Sequence, residues 1–536
     1  RPRRTSRTSV HRGATTMRGV SALSRRVPRF ARAVSFAPEA FPALLIRAEG
    51  VSARGSFAES QAAFLEPDAA VVAELQDAVE RANMGVVAHY YMDAELQGAL
   101  TRLKWPHVFI ADSLAMGDAA ARQVDAGATS VAVLGVDFMA ESVRATLDAH
   151  GHRHVPVFRL SPNKIGCSLA ESAEAQVYGA WLTKAAKSAS KALHVVYINT
   201  SLRCKAAAQS IVPTITCTSS NVVQTILQAA AQVPDLSIWY GPDTYMGENL
   251  RSMFQRYASM SDSEIKALHP SHDQASVSAL LDRFEVFQQG NCIVHHMFGD
   301  DIVKTVKERH PDAYVTAHLE VPGEMFELAM EAKARGRGAV GSTSNILSFI
   351  TEKSKEAAQR LADGDASAKS VKFILGTESG MISSIVKGVQ ETLRTGGEAG
   401  DGVEVEIIFP VAADAVSAVD GDLQVVPGVP AGEGCSTAGG CATCPYMKMN
   451  DLEALTALAE KVHASGDNWG KDPILVSHLP RQLAPEVAAR GAEPILNMRD
   501  FMREGRLSDA LVADVEHRAM SETDLKDTLQ QWAAMK

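Results

Sequence analysis

The sequence has few cysteines, no long apolar run and no excess of positive charge. Seven cysteines in 536 residues are too few for a scaffold held by disulfides. No run of 18 or more apolar residues occurs, so we expect no membrane span. The formal net charge of −10 argues against a general nucleic-acid-binding protein. Apolar residues at 46% and charged residues at 22% are ordinary for a globular chain, which excludes wholesale disorder.

Several common catalytic motifs are also missing. The sequence contains no Walker A pattern, no His-Glu-x-x-His and no Gly-x-Ser-x-Gly. The function must therefore be sought in a less common arrangement of residues. The length leaves room for two to four domains of roughly 100–200 residues each.

Lysine and acidic residues are absent from the first 38 residues, which hold ten Arg and nine Ser or Thr. This composition is typical of an organellar transit peptide, and no apolar secretory segment follows the arginines. Residues 1–50 carry a charge of +9, whereas the rest of the chain carries −19. We predict that residues 1–50 form a transit peptide or a disordered basic leader. A transit peptide would place the protein in a plastid or mitochondrion; without one, we expect the cytoplasm.

Short segments rich in Val and Ile alternate with longer Ala-rich segments of helical period. Strands that alternate with helices of about 10–15 residues indicate βαβ units and parallel sheets. We therefore predict an α/β protein with three consecutive α/β/α units, followed by about seventy helical residues. The predicted strands are Gly85–Tyr91, His107–Ser113, Ser130–Phe138, His194–Thr200, Ile215–Ser219, Leu236–Asp243, Phe284–His295, Ala313–Glu320, Gly338–Ser344 and Lys372–Glu378.

Nearly every predicted strand ends in polar residues. In open parallel sheets, ligands bind outside the carboxyl ends of the strands, so three such sheets could enclose one shared site. Ordinary loop polarity is the alternative explanation. Ser113, Ser219 and Thr343 could instead cap helices, and His89 could be a hydrogen-bonded core histidine.

The isolated cysteines fall into two kinds. We expect Cys167 at a loop or helix start, where a helix N-terminus would lower the pKa of its thiol. We expect Cys292 early in a strand. Cys204 and Cys217 have no metal-ligand spacing, so we predict that they are small buried apolar residues.

Cys441 and Cys444 form a Cys-x-x-Cys pair that is followed by proline. Such a pair fits half of a zinc site, a redox dithiol or part of an iron–sulfur site. The sequence has no second pair of this kind for a four-cysteine zinc site. A zinc-stabilised α/β binding protein that uses Cys435, Cys441, Cys444 and a histidine is one hypothesis, but it leaves Cys167 and Cys292 unexplained.

Twelve short segments of the sequence together carry a resemblance to one known family. The segments are His89–Tyr91, Asp112–Leu114, Gly135–Glu141, Gly166–Ala170, Tyr197–Ser201, Cys217–Asn221, Pro242–Asp243, Asn291–His295, His318–Glu320, Gly341–Ser344, Thr377–Glu378 and Cys444–Asn450. In this order they resemble quinolinate synthase, an iron–sulfur enzyme of NAD biosynthesis, and the resemblance covers roughly residues 66–464.

The resemblance implies three Rossmann-like α/β/α domains in a pseudo-threefold arrangement around a central cluster and active site. We place these domains at 66–165, 166–290 and 291–430, with the third-cysteine loop and C-terminal helices at 431–536. Each domain would supply one ligand to a [4Fe–4S] cluster, namely Cys167, Cys292 and Cys444. Three thiolates leave one iron open, and that iron could polarise a substrate as a Lewis acid.

The implied reaction condenses iminoaspartate with dihydroxyacetone phosphate to give quinolinate. The expected partners are these two substrates, an aspartate-oxidising enzyme and the iron–sulfur assembly machinery, with no nucleic acid or membrane. Glu320 is the candidate general acid/base, with a pKa raised toward the working range in a closed cavity; Tyr91, His295 and His318 are the other catalytic candidates. The implied substrate-binding positions are His89, Ser113, Tyr197, Ile198, Asn199, Ser219, His318, Leu319, Glu320 and Thr343.

The sequence departs from the family pattern at two positions. Leu319 stands where the family usually has proline, and His296 stands where it usually has glutamate. These departures motivate an alternative, a catalytically impaired homologue that acts as an iron–sulfur or metabolite-binding sensor. A reversible Cys441–Cys444 disulfide would remove one cluster ligand and make the activity redox-sensitive.

Overall fold

A computed structural model describes residues 41–410 and 444–533, and within them fourteen strands form three separate sheets. The residues before Phe41, together with Cys435 and Cys441, lie outside the described residues. The strands are β1 Ala43–Ile46, β2 Val51–Arg54, β3 Met84–His89, β4 Val108–Ala111, β5 Ser130–Leu134, β6 Val157–Arg159, β7 Ala192–Tyr197, β8 Thr214–Cys217, β9 Ser237–Gly241, β10 Phe284–Val286, β11 Tyr314–His318, β12 Gly338–Gly341, β13 Ser370–Gly376 and β14 Glu404–Ile408.

Helices follow most strands and cover the faces of the sheets. They span Ser56–Ala63, Ala69–Arg81, Ala94–Arg102, Ser113–Asp125, Asp137–Ala149, Ser168–Glu174, Gln176–Ser188, Leu202–Ile211, Val222–Gln232, Thr244–Tyr257, Asp262–Leu268, Gln274–Leu281, Asp300–Arg309, Gly323–Ala334, Thr343–Ala362, Ile382–Thr395, Gly397–Asp401, Leu452–Ser465, Pro473–Ser477, Pro485–Glu504, Asp509–His517 and Glu522–Ala533.

The three sheets repeat one topology. The first sheet has the order β4-β3-β5-β6, the second β8-β7-β9-β10, and the third contains β12-β11-β13-β14. All pairings within these four-stranded sets are parallel. In each set the strand that comes first in the chain lies between the second and the third. The predicted α/β class with three similar units is confirmed; the pseudo-threefold axis and the domain boundaries stay predictions.

The strands form parallel sheets because both faces are buried. Every residue of β3 and of β7 is buried, as expected for strands covered by helices on both sides. The turns after the strands are fixed by side-chain caps. Asp112, Ser201, Asp243 and Ser342 each accept a hydrogen bond from a backbone N–H in the first turn of the following helix. These caps set where each helix begins beside its strand.

An N-terminal hairpin extends the third sheet. β1 pairs antiparallel with β14, and β2 pairs antiparallel with β1. The apolar residues Ala43, Leu44 and Ile46 of β1 are buried in the core. The predicted leader at residues 1–50 is therefore too long, because residues from Phe41 onward belong to the fold.

The predicted strand over Phe284–His295 is also wrong beyond its first three residues. β10 ends at Val286, and His295 begins a short 3₁₀ turn, His295–Met297. The chain turns at Gly290, where a Cβ atom would lie only 2.1 Å from the Pro242 carbonyl oxygen. Cys292 consequently lies in the loop after β10 and not in a strand.

The C-terminal residues are helical, as predicted, and they pack on the first two sheets. Leu452–Ser465 packs with Ala69–Arg81 beside the first sheet, and Pro485–Glu504 lies against Leu202–Ile211 and β8. Glu522–Ala533 buries Trp532 against Tyr178. Among the described residues, no helix combines the length and apolar character needed to span a bilayer.

Candidate active site

A cavity lies where the carboxyl ends of strands from all three sheets come together. Residues that end or follow β3, β4, β5, β7, β8, β11, β12 and β13 line it, along with the three cysteine-bearing loops. The polar strand ends therefore form one shared cavity, as the sequence predicts. The predicted site residues in the lining are His89, Tyr91, Ser113, Cys167, Tyr197, Ile198, Asn199, Ser219, Cys292, His318, Glu320, Thr343 and Cys444.

Two predicted site residues are not part of the lining. His295 is fully buried just behind it, with Nδ1 at 2.8 Å from Oε2 of Glu320 and its ring stacked on His318 at 5.0 Å between centroids. Leu319 is buried, and its carbonyl oxygen accepts a hydrogen bond from Nδ2 of Asn249 at 2.9 Å. The Leu319 side chain therefore belongs to the core and not to the cavity.

Glu320 is the carboxylate at the centre of this arrangement. Burial alone would raise its pKa, but His295, His318 and a hydrogen bond from the Tyr197 hydroxyl outweigh burial and lower the pKa to about 2. The expected upward shift is thus wrong, because imidazole and phenol groups surround the carboxylate. Glu320 is therefore ionised at neutral pH and accepts a hydrogen bond from the Tyr197 hydroxyl.

The two histidines of the lining are neutral at pH 7. Burial lowers the pKa of His89 to about 3 and that of His318 to about 4. Nδ1 of His89 accepts a hydrogen bond from the Tyr91 backbone N–H at 3.1 Å. Nε2 of His318 lies 3.1 Å from Oγ of Ser219. Neutral imidazoles can both donate and accept hydrogen bonds at a substrate.

The lining hydroxyls are not the helix caps. Asp112 caps the helix that begins at Ser113, and Ser342 caps the helix that begins at Thr343. Ser219 precedes the helix Val222–Gln232 and is not its N-cap. None of these three residues is therefore a helix cap, and all three line the cavity.

The three candidate cysteine ligands line the same cavity. Cys167 is the N-cap residue of Ser168–Glu174, as predicted. Burial nevertheless raises its thiol pKa to about 12, although the backbone N–H groups of Ala170 and Leu169 oppose the shift. The expected lowering is wrong because burial outweighs the helix terminus. Cys204 and Cys217 are fully buried in the core, as expected.

The spacing of the three thiols argues against a single zinc ion. Groups of three ligand atoms within 4.8 Å of one another occur among the described residues at Cys292–His295–Glu378 and His295–His318–Glu320, but not at the three cysteines. With Zn–S bonds of about 2.3 Å, three thiolates on one zinc would lie within about 4.6 Å of each other.

Sequence analysis missed Glu378 and Thr377 as site residues. Both belong to a matching segment at the end of β13, and that position after a strand is the signal that could have identified them. Glu378 is 4% exposed and lines the cavity, and its Oε2 has no hydrogen-bond partner among the described residues. The Thr377 hydroxyl lies 3.0 Å from the Tyr91 hydroxyl and 3.5 Å from Nε2 of His295.

The fold and the cavity define a class of protein. Parallel sheets deliver thiols, neutral imidazoles, phenols and one ionised carboxylate to a single buried cavity, which is an arrangement for catalysis on a small polar molecule. The family model described as quinolinate synthetase A protein matches residues 73–395. The chain belongs to the quinolinate synthase family.

Similar curated proteins agree with this assignment. The chain is 49% identical over 502 residues to "Quinolinate synthase, chloroplastic" of Oryza sativa subsp. japonica, covering 90% of this chain and 70% of the relative. It is 48% identical over 516 residues to the protein of the same name from Arabidopsis thaliana, covering 93% and 69%. It is 27% identical over 394 residues to "Quinolinate synthase" of Prochlorococcus marinus strain MIT 9313, covering 72% and 80%.

Proposed function

We propose that the chain condenses iminoaspartate with dihydroxyacetone phosphate to form quinolinate in de novo NAD biosynthesis. Family membership supports this activity. The observation that carries the proposal is the cavity itself, which is lined by three thiols together with Glu320 and His318, while His295 lies directly behind Glu320. Ring formation from two small molecules needs anchors for carboxylates, groups that move protons and exclusion of bulk water.

Membership in this family implies an iron–sulfur cofactor. We propose that Cys167, Cys292 and Cys444 hold it as a [4Fe–4S] cluster, since all three cysteines line one cavity. When bound by three thiolates, such a cluster would offer one open iron as a Lewis acid. Burial raises the pKa of each of the three thiols, so deprotonation would accompany metal binding.

Hydrogen-bond donors in the lining suit a dicarboxylic substrate. Ser113, Asn199, Ser219 and Thr343 present hydroxyl or amide groups on residues that follow strands of all three sheets. Because these groups are held at helix starts and tight turns, they require little reorganisation when a carboxylate binds. We assign the anchoring of substrate carboxylates to them.

Glu320 is the proposed proton acceptor of the reaction. It is ionised, buried and hydrogen-bonded to the Tyr197 hydroxyl. His295, 2.8 Å away, is placed to share or relay a proton that Glu320 takes up. Burial and nearby carboxylates raise the pKa of Tyr91 well above its usual value, so its hydroxyl stays protonated and can donate a proton or hydrogen bond.

Neither departure from the family pattern favours a catalytically impaired sensor. The Leu319 side chain lies in the core. His296 is exposed, with its ring stacked on Tyr245 at 5.8 Å between centroids. Neither side chain lines the cavity. The groups that would perform the chemistry are therefore unaltered by these two residues.

We propose the plastid as the location. The arginine-rich, acid-poor composition of the first 38 residues and the chloroplastic names of the plant relatives support it. An aspartate-oxidising enzyme in the same compartment would supply unstable iminoaspartate, and iron–sulfur assembly machinery would load the cofactor. Import of a fusion of residues 1–40 to a fluorescent protein into isolated chloroplasts tests the location; exclusion from them would contradict it.

The activity is tested by incubating anaerobically reconstituted protein with dihydroxyacetone phosphate and iminoaspartate generated in situ from oxaloacetate and ammonia. Quinolinate is then measured by chromatography. We expect continuous quinolinate formation that depends on both substrates and stops after exposure to oxygen. Tight binding of quinolinate without any turnover would contradict the enzyme and favour the sensor.

A further inference from the structure

A buried lysine lies beneath the turn that carries Asn199. Lys205, in the helix Leu202–Ile211, has no exposed surface. Its Nζ donates to the carbonyl oxygens of Ile198 at 3.0 Å and Thr200 at 2.5 Å, and to Oγ1 of Thr200 at 2.8 Å. These two carbonyls flank Asn199 on either side in the chain.

The geometry requires the charged form of the lysine. Oγ1 of Thr200 donates its own proton to the Tyr197 carbonyl at 3.1 Å, so it can only accept from Lys205. Three acceptors use all three protons of an ammonium group. Burial lowers the pKa of Lys205 to about 8, and the group is still charged at neutral pH.

Acidic side chains from other helices complete this network. Oε2 of Glu141, from Asp137–Ala149 beside the first sheet, accepts from the Leu202 N–H at 2.6 Å and also stabilises the Lys205 charge. Oε1 of Glu174 accepts from the Ser201 hydroxyl at 2.6 Å. Side chains therefore bind the turn at Ile198, Thr200, Ser201 and Leu202, on both sides of Asn199. Burying a cation costs free energy, so its use here indicates that the position of this turn matters.

We propose that Lys205 is a positioning residue that fixes Asn199 in the cavity by binding the carbonyls of the residues before and after it, Ile198 and Thr200. This inference rests on the proposed function, since Asn199 is assigned to substrate binding there. Lys205 does not line the cavity and does not touch the substrate itself. It acts on binding through the turn.

The main test is the double variant Lys205→Met with Glu141→Gln in reconstituted holoenzyme. Methionine fills most of the space of the lysine side chain without its ammonium group, and glutamine keeps an oxygen that can accept from the Leu202 N–H. The double variant therefore leaves neither charge of this pair buried alone. We expect normal iron content, a quinolinate Kd from calorimetry raised about tenfold or more, and a KM increase that exceeds the change in kcat.

A milder variant tests the same proposal if the double variant does not fold. Thr200→Val removes one of the three acceptors, and we expect a weaker loss of quinolinate affinity, about threefold. Thr183→Val is the matched control, because its buried hydroxyl donates to the Gly179 carbonyl at 2.9 Å far from the cavity lining. We expect the control to leave the Kd unchanged.

The outcomes separate the two claims. If wild-type protein binds and forms quinolinate while the Lys205 and Thr200 variants keep its Kd and KM, the positioning role is overturned. A lowered melting temperature with unchanged Kd and KM would show a purely structural role and overturn it too. If wild-type protein neither binds nor forms quinolinate, the proposed function fails and this inference falls with it.

Discussion

Two regions of the molecule bury histidine and cysteine together, and only one of them carries the signs of catalysis. In the active-site cavity, His318 lies beside Glu320. In the aromatic cluster of the second sheet, formed by Tyr178, Trp181, His194, Trp239 and Phe287, the two ring nitrogens of His194 engage the Trp239 carbonyl at 2.9 Å and the Tyr178 hydroxyl at 3.1 Å.

Burial lowers the pKa of both histidines to about 4. A shifted pKa and a buried histidine therefore do not distinguish a site from a core. Three features distinguish the cavity from the aromatic cluster. The cavity contains an ionised carboxylate, it is lined by hydroxyl residues that do not cap helices, and strand ends from all three sheets meet there. Cysteines follow the same division: Cys444 faces the cavity and Cys204 packs beside the aromatic cluster.

The largest expected contrast is between these two cysteines. Cys444→Ala removes a proposed cluster ligand, so we expect quinolinate formation to fall to background in an anaerobic assay. Cys204→Ala removes only a small buried side chain, so we expect near-normal activity with a modest loss of stability. Activity retained in Cys444→Ala would contradict its role as a cluster ligand. Activity lost in a folded Cys204→Ala protein would contradict the purely structural role of Cys204.

The next contrast is between two buried glutamates. Glu320→Gln removes the proposed proton acceptor while keeping its size, so we expect kcat to fall by at least ~10²-fold with normal iron content. Glu406 is 7% exposed and pairs with Arg54 at 2.5 Å in the third sheet. Glu406→Gln is the matched control and should keep its kcat; near-normal turnover of Glu320→Gln would exclude the assigned role.

A smaller effect is expected at the threonine that lies behind Tyr91. Thr377→Val removes a hydroxyl within 3.0 Å of the Tyr91 hydroxyl, so we expect kcat/KM to fall by about tenfold through loss of one hydrogen bond. Thr316→Val is the control, because its hydroxyl donates to the Ile374 carbonyl at 2.8 Å within the sheet. Equal effects of the two substitutions in steady-state assays would mean that Thr377 is merely structural.

The smallest effect on activity is expected in the aromatic cluster. His194 has a folded pKa of about 4 against an ordinary 6.5, so the unfolded chain binds more protons between these values. Stability contributed by neutral His194 is present above pH 6.5 and is lost as the pH falls toward 4, by up to about 3 kcal/mol.

In His194→Asn, we expect the free energy of unfolding to depend less on pH between 6.5 and 4, with kcat and KM unchanged. Denaturant unfolding at pH 7, 6, 5 and 4 measures the difference between wild type and variant. An identical pH dependence in both proteins would show that His194 does not bind a proton on unfolding in this range. A change in KM would show that the cluster and the cavity are coupled.

The sequence predicts the general layout of the cavity because strand order and strand ends are local properties. Alternation of Val-rich and Ala-rich segments located ten of the twelve parallel strands, and the polar endings indicated the site. The strands β6 and β14 were not predicted. The hairpin at Ala43–Ile46 was missed because its partner, β14, lies more than 350 residues away in the chain. Cys292 was misplaced because the close approach of Gly290 to Pro242 cannot be seen in sequence.

Electrostatics was predicted least well. The pKa of Glu320 depends on three side chains from other segments, His295, His318 and Tyr197, whose approach only the fold reveals. The pKa of Cys167 depends on how completely its thiol is buried, and here burial outweighs the helix terminus that the sequence did predict. Residue identity and spacing predicted which side chains line the cavity. Their ionisation states could be assigned only from the three-dimensional structure, because they depend on burial and on neighbours from distant segments.

The central claim is that Cys167, Cys292 and Cys444 hold one iron–sulfur cluster in the cavity. The most direct measurement is iron and sulfide content, with an absorption spectrum, on anaerobically reconstituted wild-type, Cys444→Ala and Cys204→Ala proteins. We predict about four irons and four sulfides per chain for wild type and Cys204→Ala, and loss of both from Cys444→Ala. Zinc without sulfide in the wild-type protein, or a full cluster in Cys444→Ala, would contradict the account.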